Sequence, residues 1–405
     1  MITPINFFKT NFVVEHSSKN KTIFANVINF SFLISLSLVL TIGRIYPLNY
    51  IANAGFIVLC VLMLLFVYIY DHFYIDRYVV IITLLNIFSL FSGIVNKFEG
   101  ETFTLSFLSI GMMPVYFYFK HSVESRRVAI NIIPIAYCIF NLFFFFLYFK
   151  EFINLDFSTR LGSKIGNQND VATYLLTAHT VFLYLLLKKH FYLIPFILLN
   201  FVEMIGTGSR SGLLNILIIS LLILYLIIGR KNKLLFLIVV IFGVTIFYCI
   251  LFLPQLTILK KRFDDLFLEV FTNQNTDEST SSRFDLFFES FEYFLRNPFF
   301  GGGQDFAFNY TFNGDVAHNT YIELGASRGL FVVILFLMLF IYPLQLKDKS
   351  NAVLRIVLIS NFLLFYFTLS GYYYKPPYYI VPVLASFNSD KTYFDFVLHR
   401  NFMKR

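Results

Sequence analysis

Charge and cysteine are the scarce components of this chain. Only 14% of its 405 residues are Asp, Glu, Lys or Arg, and cysteine occurs three times. A soluble globular domain carries about 25% charge. That deficit excludes an ordinary cytosolic enzyme and a disordered tail, since a water-soluble fold this apolar would expose large hydrophobic patches. Cys60, Cys138 and Cys249 all fall inside apolar runs, with no metal-spaced pair and no disulfide framework, and read as small buried hydrophobes. No repeat of 20–50 residues is visible. The formal net charge of +8 does not indicate a nucleic-acid partner, because the basic residues sit in short clusters between apolar runs. The glycines near 206 form no dinucleotide fingerprint: after Gly206 and Gly208 the next is Gly212, and no strand precedes them.

What is abundant is apolar sequence, 58% of the chain. A membrane-spanning helix needs about 20 apolar residues. Twelve apolar segments can be marked: 22–42, 47–70, 78–95, 102–119, 128–149, 170–187, 190–206, 211–229, 234–253, 319–344, 352–371 and 373–387. The last is short and broken by Pro376, Pro377 and Pro382, so the count is eleven if it does not cross. The expected fold is all-α, a polytopic transmembrane bundle. Its divisions are a cytoplasmic N-terminal segment (1–21), nine helices (22–253), a large extracytoplasmic loop (254–318), three helices (319–387) and a cytoplasmic tail (388–405). No small-residue cleavage site follows the first apolar run, which speaks against a cleaved signal peptide.

Alternate connections, counted from the N-terminus, hold 18 Lys and Arg residues against seven in the other short connections. By the positive-inside bias both termini are expected in the cytoplasm and the long connection outside. That connection has helical periodicity in two places: Leu259, Phe263, Leu266, Phe267 and Val270, then Phe284, Phe287, Phe288, Phe291 and Leu295. Ser282 with Asp285 suggests a capping box, Asn297-Pro298 a helix stop, and Gly301-Gly302-Gly303 a turn. Residues 254–317 carry five basic and ten acidic residues, so this is not a general cationic patch.

With that orientation the even-numbered segments begin at the outer face, where their N-termini present the positive ends of the helix dipoles. Three of these starts are rich in polar residues: Arg160 through Lys164 to Asn169-Asp170, Gly206 through Ser209-Arg210-Ser211 to Gly212, and Ala317-His318-Asn319-Thr320-Tyr321. Arg283 lies in the outer loop. Helix N-termini, backbone N–H groups and arginines together suit a phosphate-rich anion, and the guanidinium fork binds phosphate in a bidentate way that lysine cannot. His179 falls in mid-segment and reads as a packed polar residue. Glu203, near the outer end of its segment, and Glu323, five residues past His318, could each simply partner an arginine.

Residues 160–330, on these three stretches and on Ser282-Arg283 through Asn297-Pro298 to Gly303, resemble the O-antigen ligase and O-antigen or capsule polymerase family of bacterial membrane enzymes. Two departures stand out. The family often has Asn-Pro-Asn where this chain has Asn167-Gln168-Asn169, and an acidic residue where this chain has Arg328. The resemblance implies an inverting glycosyltransferase of the bacterial cytoplasmic membrane, using neither metal nor other cofactor. Its substrates would be an oligosaccharide on undecaprenyl diphosphate and a lipid-linked acceptor, presented at the outer leaflet of the bilayer. The chain-length regulator and flippase of the same pathway are expected partners. Arg160, Arg210 and Arg283 would grip the diphosphate. His318, an imidazole titrating near 6.5 when unperturbed, would take the acceptor's proton. Lys164, Asn319, Tyr321 and Glu323 would be secondary contacts. Polymerase is preferred to ligase on the Phe-rich, Trp-free composition (Phe 55, Trp 0) and the imperfect motifs. A flippase for the same lipid-linked unit is the reading from a different class. It fits less well, because transporters place their binding charges near the bilayer midplane.

Overall fold

The computed structural model describes residues 5–70, 75–96, 102–154, 159–251, 278–303, 317–346, 351–369 and 373–387, with a few single positions between these ranges. Among the described residues there are helices and no strands. Nine helices account for the first nine apolar segments: α1 (Ile5–Thr41), α2 (Asn49–Tyr70), α3 (Arg77–Val95), α4 (Thr102–His121), α5 (Val123–Leu147), a short α6 (Phe149–Ile153), α7 (Gln168–Leu187), α8 (Ile194–Thr207), α9 (Arg210–Leu224) and α10 (Lys233–Leu251), where α6 is a connector. A π-helical turn, Tyr225–Gly229, prolongs α9. Then follow α11 (Glu278–Arg296), α12 (Thr320–Arg328), α13 (Leu330–Ile341), α14 (Ala352–Thr368) and α15 (Pro376–Ala385). Six of these have the length and apolar character to cross a bilayer, namely α1, α2, α3, α5, α7 and α9 with its π turn. The chain is therefore a multi-pass membrane protein with an all-helical bundle.

Burial follows the logic of lipid solvent. Large apolar side chains such as Phe30, Ile57, Phe91, Phe146, Leu198 and Phe242 are exposed on the outside of the bundle, while asparagines are buried within it. With no water available, those amides bond across helix boundaries. Asn200 donates to Asn141 Oδ1 at 3.3 Å, Ser109 to Asn86 Oδ1 at 3.2 Å, and Asn361 to Thr177 Oγ1 at 3.0 Å. His179 is likewise a packed polar residue, 3.0 Å from Ser220 Oγ on α9. Replacing Asn361 by Leu should cost only about 0.6 kcal/mol, the mean for such bonds in membranes. A thermal midpoint in detergent shifted by tens of degrees would show that this bond matters far more than its class.

Three sequence expectations differ from the structure. α1 reaches back to Ile5, so the expected polar tail is helical from that position. The outer helix α11 already includes Glu278, which places Ser282 and Asp285 inside it and rules out their capping box. Its end at Arg296, before Asn297-Pro298, is where the sequence puts it. The other amphipathic stretch, 259–270, lies largely outside the described residues. The apolar run 319–344 is not one helix but two, α12 and α13, divided at Gly329.

The division has a backbone cause. Gly329 has φ 88°, and a Cβ built on it would stand 2.0 Å from the Phe299 carbonyl oxygen. The segment after α11 enters this break main chain to main chain. Leu330 N donates to Pro298 O at 2.7 Å, Gly302 N to Ala326 O at 2.8 Å, and Gly303 N to Ser327 O at 3.0 Å. Ser92 of α3 donates to Phe300 O at 2.6 Å. Arg328, the residue where the family often has an acid, is buried and donates to Ser89 Oγ of α3 at 2.7 Å.

The twelfth apolar segment forms α15, ten residues and about 15 Å long at 1.5 Å per residue. That is half the hydrocarbon thickness, and every one of its residues is buried. It sits inside the bundle, chiefly against α4 and α1. At one end of it Arg126 of α5 donates to Ser386 O at 2.8 Å. At the other, Lys375 donates to Asn53 Oδ1 of α2 at 2.6 Å.

Candidate functional site

Polar groups gather where α1, α3, α8 and α12–α13 meet the connections at one end of the bundle. The tight reversal between α8 and α9 is the first of them. α8 ends on Gly208, whose left-handed φ of 59° suits glycine. Ser209 immediately caps α9, accepting from Gly212 N at 3.2 Å. Arg160 is laid across this reversal: its Cγ is 3.1 Å from where a Cβ on Gly208 would stand, and its Nε donates to Thr207 O at 2.9 Å. The same guanidinium donates through NH2 to Asn169 Oδ1 at 3.0 Å, and Ser209 Oγ donates to that oxygen at 3.1 Å. Asn167 still caps α7 despite the missing proline, accepting from Asn169 N at 2.9 Å. Two capped helix N-termini, of α7 and α9, are thus fixed side by side around Arg160, with Arg210 in the first turn of α9.

Asp170, next to Asn169, carries the set onward. It pairs with Arg44 NH1 at 3.0 Å, from the connection between α1 and α2. Arg44 lies over the Tyr373 ring, 4.8 Å from its centroid. Burial works against the Arg44 charge, but Tyr174, Asp170 and Tyr373 around it outweigh that and raise its pKa above the ordinary value. Tyr373 also lies within electrostatic reach of Glu323 on α12. Contacts therefore run from Thr207 through Arg160, Asn169, Asp170, Arg44 and Tyr373 to the neighbourhood of Glu323.

His318 and Asn319 head α12. His318 is one of two non-glycine residues with positive φ among those described, at 49°, a conformation that favours glycine and often marks a functional position. Asn319 caps the helix, accepting from Tyr321 N at 3.0 Å and Ile322 N at 3.1 Å, and donates to Phe367 O at 3.0 Å. Thr320 Oγ1 donates to Leu369 O at 2.7 Å. On the neighbouring α9, Asn215 donates to Thr368 Oγ1 at 3.3 Å, so the end of α14 ties the start of α12 to the helix that begins with Arg210. Arg283 stands in the second turn of α11, which packs on α12. Arg160 thus lies against the turn that Arg210 follows, and Arg283 is carried by a helix that packs on α12, which His318 precedes.

The secondary residues have local roles. Lys164 Nζ donates to Leu147 O at 3.0 Å, lies 3.5 Å from Glu151 and covers the Tyr148 ring. Tyr321 donates to Leu363 O at 3.0 Å, inside the bundle. Glu323 is buried. Glu203, which by its place in the sequence could partner an arginine, is fully buried with neither carboxylate oxygen hydrogen-bonded among the described residues. The residues that sequence reasoning passed over are Arg44, Tyr373 and Lys375, each in a connection where a lone basic or aromatic residue ordinarily just anchors the chain at the interface.

Residues 195–337 match the family model described as O-Antigen ligase. The matched stretch runs from α8 to α13 and contains Arg210, Arg283 and His318, and it accords with the resemblance carried by residues 160–330. No curated protein matches the chain.

Proposed function

From a chain whose segment 195–337 is of the O-antigen ligase family, we propose a glycan polymerase of the bacterial inner membrane. It moves a glycan from an undecaprenyl-diphosphate donor to a hydroxyl of a second lipid-linked unit at the outer leaflet. The observation that carries this reading is Arg160 clamped between the capped N-termini of α7 and α9, with Arg210 beside it. Such an arrangement concentrates positive charge and N–H donors where a diphosphate needs them. The excess of Lys and Arg in the alternate connections supports an outward-facing site and cytoplasmic termini.

In this mechanism the acceptor oxygen attacks the anomeric carbon from the side opposite the diphosphate. The new C–O bond forms as the bond from carbon to diphosphate oxygen breaks, and the configuration inverts. His318 takes the acceptor's proton. The charge released onto the leaving lipid diphosphate would be met by Arg160, Arg210 and Arg283.

The description of the matched segment favours one second reading, a ligase, in which the acceptor is lipid A core. Purified protein reconstituted with a lipid-linked repeat unit separates the two. A product ladder supports the polymerase, a single transfer seen only when lipid A core is added supports the ligase, and no transfer to either acceptor refutes both. Arg210→Lys keeps the charge and loses the fork. It should lower the transfer rate by at least about tenfold, as expected for one charge-assisted hydrogen bond of 1.5–3 kcal/mol. An unchanged rate removes Arg210 from the clamp.

A further inference from the structure

Beside the Arg160 group a separate cavity of about 750 Å³ opens among the connection between α1 and α2, the start of α4 and the segment before α15. Its size is within the 300–1,000 Å³ of pockets that hold small molecules. Its lining is chemically mixed. Arg44 and Lys375 bring two positive charges, and among the described residues the only acid bonded to either is Asp170, on Arg44. Among the described residues Lys375 has two neutral acceptors, Asn53 Oδ1 at 2.6 Å and Gly43 O at 3.4 Å, while an ammonium has three protons to donate.

Two further atoms are buried with no well-formed hydrogen bond among the described residues: NH2 of Arg44, a donor that has the Tyr174 and Tyr373 hydroxyls near its guanidinium, and Oδ1 of Asn49, an acceptor. A buried polar atom left unpaired is costly, and so points to a group that pairs with it. Phe103, Phe107 and Tyr373 supply flat apolar walls. The ligand that satisfies all of these carries one negative charge for Lys375 and Arg44 NH2, a hydroxyl to donate to Asn49, and a C–H face for the rings. We infer that this cavity is a subsite for a sugar bearing a carboxylate, within the glycan handled at the neighbouring site. One uncompensated positive charge matches a monoanion. A diphosphate brings more charge than that and would meet Asp170.

The identification of a glycan rests on the transferase reading, but the test does not need turnover. The full-length protein in detergent is titrated with glucuronate, glucose and pyrophosphate, and binding is followed by saturation-transfer NMR. Glucuronate should bind at least tenfold more tightly than glucose. Lys375→Gln should remove that preference and leave glucose binding unchanged, and Lys375→Arg should restore most of it. Asn49→Ala, which removes a carbonyl oxygen with no hydrogen bond among the described residues, should weaken both sugars and serves if Lys375→Gln does not fold. Equal binding of the two sugars overturns the inference. So does an undiminished preference in Lys375→Gln. Pyrophosphate displacing glucuronate with the same dependence on Lys375, and binding more tightly, assigns the cavity to phosphate instead. A protein that holds glucuronate in this way yet transfers no glycan overturns only the transferase reading.

Discussion

His318→Ala is expected to reduce glycan transfer by about 10²- to 10⁴-fold, the usual contribution of a positioned general base, with normal insertion and thermal stability. The separation of activity from stability follows from where the residue sits. Asn319 and Thr320 tie the head of α12 to the carbonyls of Phe367 and Leu369, and both bonds are kept when the His318 side chain is removed. His318 contributes its side chain from a backbone with φ 49°, a conformation that glycine tolerates better. His318→Gly should therefore leave the protein as stable as the parent or up to about 1 kcal/mol more stable, and equally inactive. The pair is measured as product length and amount in reconstituted membranes beside thermal midpoints in detergent. Full activity in either variant removes His318 from the proton transfer. Inactivity accompanied by a large loss of stability would make its role structural.

The second large effect is expected at the divided helix. Gly329→Ala places a methyl group 2.0 Å from the Phe299 oxygen, and neither side can yield without moving backbone. The docked segment would lose its three main-chain bonds to Ala326, Ser327 and Leu330. A cost above about 3 kcal/mol is expected, in the range reserved for strain at special backbone positions combined with lost buried bonds. Gly243→Ala is the matched control. That helical glycine has nothing within 4 Å of its built Cβ, and alanine there should be neutral or stabilising by up to about 1 kcal/mol. Similar midpoints for the two variants would mean that segment 298–303 does not enter the break between α12 and α13.

Much of the bundle is legible in the sequence because lipid imposes a simple rule: apolar runs near 20 residues, set off by polar connections. The break at Gly329 escapes that rule. Leu330-Phe331-Val332-Val333 continues the apolar run, and the event that divides the helix is the arrival of a backbone from 30 residues earlier. Ser282 misleads for a different reason, since a serine run near the start of an apolar periodicity resembles a cap, yet α11 already includes Glu278. At the site, Arg160 and the Gly-Ser-Arg-Ser-Gly reversal can be associated because both precede segments that start on the same face. Arg44 and Lys375 could not be. They are more than 300 positions apart, and each looks like an anchor until α15 brings them to one cavity.

Concealment of α15 also sets an order of assembly. A ten-residue stretch holding Pro376, Pro377 and Pro382 is too short to partition into lipid unaided. It needs a slot with walls already standing, and those walls are made by α1, α2, α4 and α5, which leave the ribosome hundreds of residues sooner. This late piece docks after them, and Tyr373 and Lys375, just ahead of it in the chain, join the cavity lining only then.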